Sequence, residues 1–85
     1  MPLKPKPQGL QPLQRVRIHR RMTQGELADA TGVWREMISY LETGVRRPTR
    51  LLLARLCRAL DAKPEQLFTK DVLDELREEA TAAKR

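Results

Sequence analysis

Three arginines that lie close together in the chain are suited to binding a polyanion. Arg46, Arg47 and Arg50 surround Pro48 in one short segment. A guanidinium group keeps its positive charge and presents several N–H donors in one plane, which suits the oxygens of a phosphate group. Such contacts hold a nucleic-acid backbone without reading its sequence. The alternative is a solvated loop, but three arginines at this spacing favour a clamp on phosphates.

The positive charge of the chain is concentrated before residue 59. The 85 residues carry a formal net charge of +6. Residues 1–58 contain twelve Lys and Arg against four Asp and Glu, whereas residues 59–85 contain five against seven. This distribution indicates a body that binds a polyanion, joined to an acidic end with a different use.

The segment from Thr23 to Gly44 predicts two short helices joined by a tight turn. Thr23 and Glu26 have the spacing of a capping box, which starts a helix. Gly32 suits the left-handed residue that ends the first helix, and Gly44 ends the second. This plan is a helix-turn-helix, whose second helix can lie in the major groove of DNA. Gln24, first in the first helix, can reach a DNA phosphate with its amide groups.

These positions resemble the Cro/repressor-type (XRE-like) helix-turn-helix DNA-binding family. The resemblance runs from about Leu13 to Phe68. It implies an all-α fold, a five-helix lambda-repressor-like DNA-binding domain, here followed by an additional C-terminal helix. Two positions depart from the pattern: Trp34 replaces a capping Ser or Thr, and Asp61 replaces a Gly. The matching positions are Arg17, Thr23, Gln24, Glu26, Leu27, Ala28, Gly32, Val33, Ile38, Ser39, Leu41, Glu42, Gly44, Pro48, Ala59, Leu60, Leu67 and Phe68.

The resemblance also implies roles for the second helix of the unit. Arg35, Glu36 and Tyr40 take base-reading positions, where Arg suits guanine and Glu suits cytosine. It further implies that Arg17 and Glu42 form a structural pair between two helices, away from DNA. The DNA-binding set predicted by all these arguments is Gln24, Trp34, Arg35, Glu36, Ser39, Tyr40, Arg46, Arg47 and Arg50. Weaker candidates on the first helix are Arg15, His19, Arg20 and Arg21.

The chain divides into three predicted parts. Residues 1–11 are a flexible, basic, Pro-rich arm, residues 12–68 are the helix-turn-helix domain, and residues 69–85 are an acidic helical end. The predicted helices span residues 12–21, 24–31, 34–43, 50–60, 64–68 and 70–82.

Apolar residues recur at helical spacing in the last predicted helix. They can cover the core of the domain, or they can form an interface with a second copy or another protein, and we expect part of this stripe to remain available. The stripe consists of Val72, Leu73, Leu76, Ala80 and Ala83.

The sequence therefore predicts a sequence-specific regulator of transcription, a repressor, that reads double-stranded DNA with residues 34–43 and acts as a homodimer. The alternative is an antitoxin or adaptor that binds a protein partner through its last helix. No nucleophile–base set or phosphate-binding Gly loop indicates an enzyme. We expect no cofactor, no metal at His19 and an unreactive Cys57. No apolar segment suits a signal peptide or a membrane span, which predicts a cytoplasmic protein.

Overall fold

Six helices follow one another in the order that the sequence predicts. The computed structural model describes the backbone of residues 9–83 and the side chains of residues 9–78, and within these limits it is all-helical. Residues 1–8 of the predicted arm and the side chains of Ala80 and Ala83 lie outside the described residues. The helices are α1 (Pro12–His19), α2 (Gln24–Thr31), α3 (Arg35–Thr43), α4 (Arg50–Leu60), α5 (Pro64–Leu67) and α6 (Lys70–Ala83).

Local sequence explains how α2 and α3 begin and end. The Thr23 hydroxyl accepts from the Glu26 N–H at 3.0 Å, and the Glu26 carboxylate accepts from the Thr23 N–H at 2.9 Å. The predicted capping box is thus confirmed. Gly32 ends α2 at φ +74° and Gly44 ends α3 at φ +76°. Both are left-handed conformations that glycine adopts without a steric cost.

Helix α1 ends two residues before the predicted boundary at Arg21. Arg21 has φ +59°, a left-handed conformation that costs a non-glycine residue roughly 1–2 kcal/mol. Its N–H bonds to the Ile18 carbonyl at 2.9 Å, and the Met22 N–H bonds to the Arg17 carbonyl at 3.1 Å. These backbone bonds close the turn that leads into α2.

Helix α4 carries the central leucines of the core. The Thr49 hydroxyl caps it by accepting from the Leu52 N–H at 3.1 Å, as its position before the helix predicts. Leu52, Leu56 and Leu60 are buried, whereas Leu51 is 63% exposed. Leu53 and Cys57 are half-buried, because they face a groove beside α6. The helix ends at Asp61, which has φ +49°.

Helix α6 packs its first apolar residues onto the same chain. Val72 and Leu76 are 2% and 5% exposed, and Leu73 packs partly buried against the core. Val72 and Leu76 are therefore not available to a partner, and Leu73 is half-buried. The core they join also contains Leu13, Leu27, Ala28, Ile38, Leu41, Leu52, Leu56, Leu60, Leu67 and Phe68. Within the described residues, no helix combines the length and the apolar character needed to cross a membrane.

Candidate nucleic-acid interface

Helix α3 has one buried side and one exposed side. Ile38, Leu41 and Glu42 are buried against the domain, and they alternate with exposed residues at the 3.6-residue period of a helix. On the other side, a shallow recess of about 150 Å³ is open to solvent. Its lining combines two helices and consists of Gln24, Arg35, Glu36, Ser39 and Tyr40. The structure thus brings together five side chains that the sequence assigns to one site.

A buried network fixes the position of α3 relative to α1 and α2. The Glu42 carboxylate, 1% exposed, accepts from Arg17 Nε at 2.5 Å and from Arg17 Nη2 at 3.3 Å. It also accepts from Gln24 Nε2 at 2.9 Å. Arg17 Nη1 donates to the Met22 carbonyl at 2.8 Å. The predicted structural pair is confirmed as a buried ion pair, and Gln24 joins it from the start of α2.

The side chain of Gln24 is therefore already engaged by the protein. Its amide nitrogen is bonded to Glu42, whereas its backbone N–H lies in the first turn of α2, where helix N–H groups lack intrahelical partners. The bond to Glu42 uses one of the two N–H donors of the side-chain amide, and the backbone N–H at the start of α2 is a further group suited to a phosphate.

Arg46 lies beside the exposed side of α3. Its guanidinium carbon is 5.6 Å from the centre of the Tyr40 ring, a distance typical of a cation–π contact. The N–H groups of Val45 and Arg46 bond to the Tyr40 carbonyl at 2.9 and 3.2 Å. The loop after α3 is consequently fastened to the last turns of that helix, and its first arginine places a positive charge beside the exposed side of α3.

The other two arginines of the predicted clamp take different surroundings. Arg47 Nε forms an ion pair with the Glu75 carboxylate of α6, and both side chains remain about one-third exposed. Arg50 lies at the groove of about 540 Å³ between α4 and α6, which Leu53 and Leu73 also line. Sequence spacing treats the three arginines as one cluster, but in the structure Arg46 lies over Tyr40 of α3, Arg47 pairs with α6 and Arg50 lines the groove beside α6.

Trp34 stands at the N-cap of α3 with 83% of its surface exposed. Its backbone is extended, with φ −73° and ψ 150°, and its side chain makes no capping hydrogen bond. A large aromatic side chain left in solvent beside Arg35 is the most exposed of the large apolar residues that the structure describes.

Two polar residues organise the domain in ways that sequence reasoning missed. Gln11, assigned to the arm, is 3% exposed, and its N–H bonds to the Glu42 carbonyl at 2.8 Å. Its side-chain oxygen accepts from the Thr69 N–H at 2.9 Å. Arg20, a weak candidate for DNA contact, donates from Nε to the Leu60 carbonyl at 2.9 Å and so bonds the end of α4. The groups that Gln11 and Arg20 bind are distant from them in sequence. The sequence offered only one signal for these bonds, a polar residue next to a helix end.

Cys57 and His19 stay apart from this surface. Burial raises the pKa of the Cys57 thiol above its ordinary value, and the nearby Glu65 carboxylate raises it further. The neutral thiol is the less nucleophilic form. His19 is exposed on α1, and no group of three potential metal ligands is present among the described residues.

Two short helices joined by a tight turn, with the second exposing a row of polar side chains, constitute a helix-turn-helix. A family model described as helix-turn-helix matches residues 13–67 of the chain. Two relatives from Archaeoglobus fulgidus, each an uncharacterised HTH-type transcriptional regulator, are 44% identical over 50 residues. The matches cover 59% of this chain and 70% and 71% of those proteins.

Solved structures of regulators share the fold. The restriction-modification controller protein C.AhdI from Aeromonas hydrophila superposes with a TM-score of 0.62 and 30% identity, covering 67% of this chain and 86% of that one. The clp gene regulator ClgR from C. glutamicum superposes with a TM-score of 0.59 and 34% identity, covering 80% and 82%. The chain belongs to the helix-turn-helix family, and it is a DNA-binding regulator of transcription.

Proposed function

We propose that this regulator is a repressor that reads the major groove of double-stranded DNA with α3. The observation that supports this most directly is that α3 has one side buried in the domain and a polar side exposed to solvent. Glu42 and Ile38 anchor α3 from inside, so its outer side chains are presented on a fixed backbone. A rigid helix is what direct reading requires, because base-edge hydrogen bonds tolerate little misplacement.

Within this proposal, the outer residues of α3 divide into two roles. Arg35 and Glu36 are exposed in the first turn, the part of a recognition helix that enters deepest into the groove. Arg35 donates to guanine and Glu36 accepts from cytosine N4. Ser39 and Tyr40, one turn later, border the bases and the adjoining backbone. Trp34 contributes an apolar contact at the entry of the helix.

Backbone contacts surround these base contacts. The N–H of Gln24 at the start of α2 meets a phosphate on one side, and Arg46 meets the backbone on the side of the α3–α4 loop. Arg47 and Arg50 add positive charge around that loop. These contacts set the register of the protein on the duplex and supply most of its salt-dependent affinity.

We further propose that two copies act together, in the cytoplasm, on a two-fold-symmetric site. Helix α3 has nine residues, and few of them reach bases, so one copy recognises a short half-site. Pairing two half-sites raises both affinity and specificity. Sedimentation of the free protein and of the complex tests this directly.

The decisive experiment is selection of genomic DNA fragments with the purified chain, followed by binding measurements on the enriched motif. A palindromic motif that represses a reporter when placed over a promoter is the expected result. We expect Arg35→Ala to lower affinity for the motif by about 1–3 kcal/mol and to relax the preference at one base pair. Enrichment of no motif would contradict the proposal and favour a partner-binding adaptor.

A matched variant separates base reading from general charge. Arg58→Ala removes the same charge from an exposed position in the last turn of α4, on the groove that α4 forms with the end of α2. It should leave the preferred motif unchanged. If Arg35→Ala weakens binding equally on every sequence, Arg35 contacts only the backbone.

A further inference from the structure

A carboxylate of α6 reaches the loop that joins α3 to α4. The backbone N–H groups of Val45 and Arg46 bond to Tyr40 of α3. The side chain of the next residue, Arg47, pairs instead with the Glu75 carboxylate of α6. Glu75 lies between Val72 and Leu76, both of which are buried in the core. The carboxylate is therefore held on a fixed stretch of helix, and the longer Arg47 side chain comes to it.

Glu75 and a DNA phosphate are alternative partners for the same guanidinium. Each offers negatively charged oxygens, and a guanidinium paired with a carboxylate brings no net charge to the DNA backbone. Counterion release on binding depends on how many phosphates the protein neutralises. An arginine already neutralised within the protein contributes less to that number until its internal ion pair opens.

We propose that Glu75 lowers the affinity of the domain for DNA by competing with phosphates for Arg47. The inference rests on the proposed placement of Arg47 beside the DNA backbone. It assigns to the acidic C-terminal helix a role in DNA binding, because α6 carries the carboxylate that pairs with Arg47 of the loop between α3 and α4. Since phosphate contacts carry no sequence information, Glu75 lowers specific and non-specific affinity alike.

The test is the salt dependence of binding to a short fluorescent duplex of random sequence. Glu75→Gln frees Arg47, so we expect affinity at low salt to rise by about 1.5- to 5-fold, the span of one exposed ion pair. The slope of log affinity against log salt should steepen by about 0.9, because one more phosphate is neutralised. Urea melts establish that the variant remains folded.

Glu78→Gln provides the matched control. Glu78 is an exposed carboxylate one turn further along α6, and the structure shows it in no ion pair among the described residues. Its loss removes the same long-range charge without freeing Arg47. Both substitutions are then repeated in chains that also carry Arg47→Gln. Without the Arg47 guanidinium, Glu75→Gln and Glu78→Gln should change the affinity for the duplex equally.

Three outcomes would overturn the inference. Equal gains in affinity from Glu75→Gln and Glu78→Gln, with Arg47 present, would show that Glu75 acts only as a distant negative charge. Weaker binding by Glu75→Gln would show that the carboxylate holds Arg47 in place for DNA instead of withholding it. An unchanged slope would show that Arg47 meets no phosphate. The duplex of random sequence keeps this test separate from the proposal that α3 reads bases. If α3 reads no bases, the protein can still bind the DNA backbone, and the salt dependence of that binding can still be measured.

Discussion

Removal of the Glu42 carboxylate tests whether the buried network holds the recognition helix in place. Glu42→Ala eliminates three hydrogen bonds, two from Arg17 and one from Gln24. The Arg17 guanidinium remains buried, with only its bond to the Met22 carbonyl. Breaking a buried ion pair by removing one partner costs about 3–5 kcal/mol, because the other charge is left uncompensated. We expect a loss in that range.

The loss is large compared with the whole stability of a small domain. Domains of this size are stable by about 5–15 kcal/mol, and about 1 kcal/mol shifts Tm by roughly 4–8 °C. Urea denaturation followed by circular dichroism measures the loss. Glu36→Ala is the control: it removes an exposed carboxylate from the same helix, and surface substitutions usually stay within about 0.5 kcal/mol.

A double variant separates the charge from the packing. Arg17→Met combined with Glu42→Met removes both charges and refills the space with apolar side chains, so it should be more stable than Glu42→Ala alone. A loss below about 1 kcal/mol for Glu42→Ala would refute the reasoning, since that is the cost of an exposed pair. If the double variant were less stable than Glu42→Ala, the attraction within the ion pair would contribute more to the free energy of unfolding than the cost of burying its charges.

The remaining predictions concern α6, the thiol and the loop. A chain ending after Phe68 loses the buried Val72 and Leu76, so urea melts should show a loss of roughly 3–6 kcal/mol, and an unchanged melt would contradict their burial. Cys57 should react more slowly with iodoacetamide in the folded chain than in denaturant at the same pH, because its raised pKa favours the thiol; a faster folded reaction would disprove this. Arg46→Ala should reduce the salt slope of DNA binding by about 0.9, and an unchanged slope would remove Arg46 from the phosphate contacts.

Much of the helix-turn-helix was predictable because its determinants are local. The capping box of Thr23 and Glu26 needs residues three positions apart, and Gly32 and Gly44 act through their own backbone dihedrals. Ile38 and Leu41 recur at the period of a helix, and the structure buries both of them and leaves Arg35 exposed. The pairing of Arg17 with Glu42 is not local, and it could be predicted only through resemblance to the family.

Other features depend on contacts that no spacing rule contains. Gln11 is buried because the end of α3 and the start of α6 both reach it, and Arg20 bonds the end of α4 from the turn after α1. Nothing in the sequence separates Arg46 from Arg47, yet one lies over Tyr40 and the other pairs with Glu75.

The sequence by itself determined the class of fold, the boundaries of α2 and α4, and the exposed face of α3, because capping, glycine turns and helical period act over a few residues. Tertiary structure alone decided that Val72 and Leu76 complete the core, and that the basic loop is divided between α3 and α6. These outcomes follow from how helices pack against one another, and packing brings together residues whose separation along the chain carries no signal.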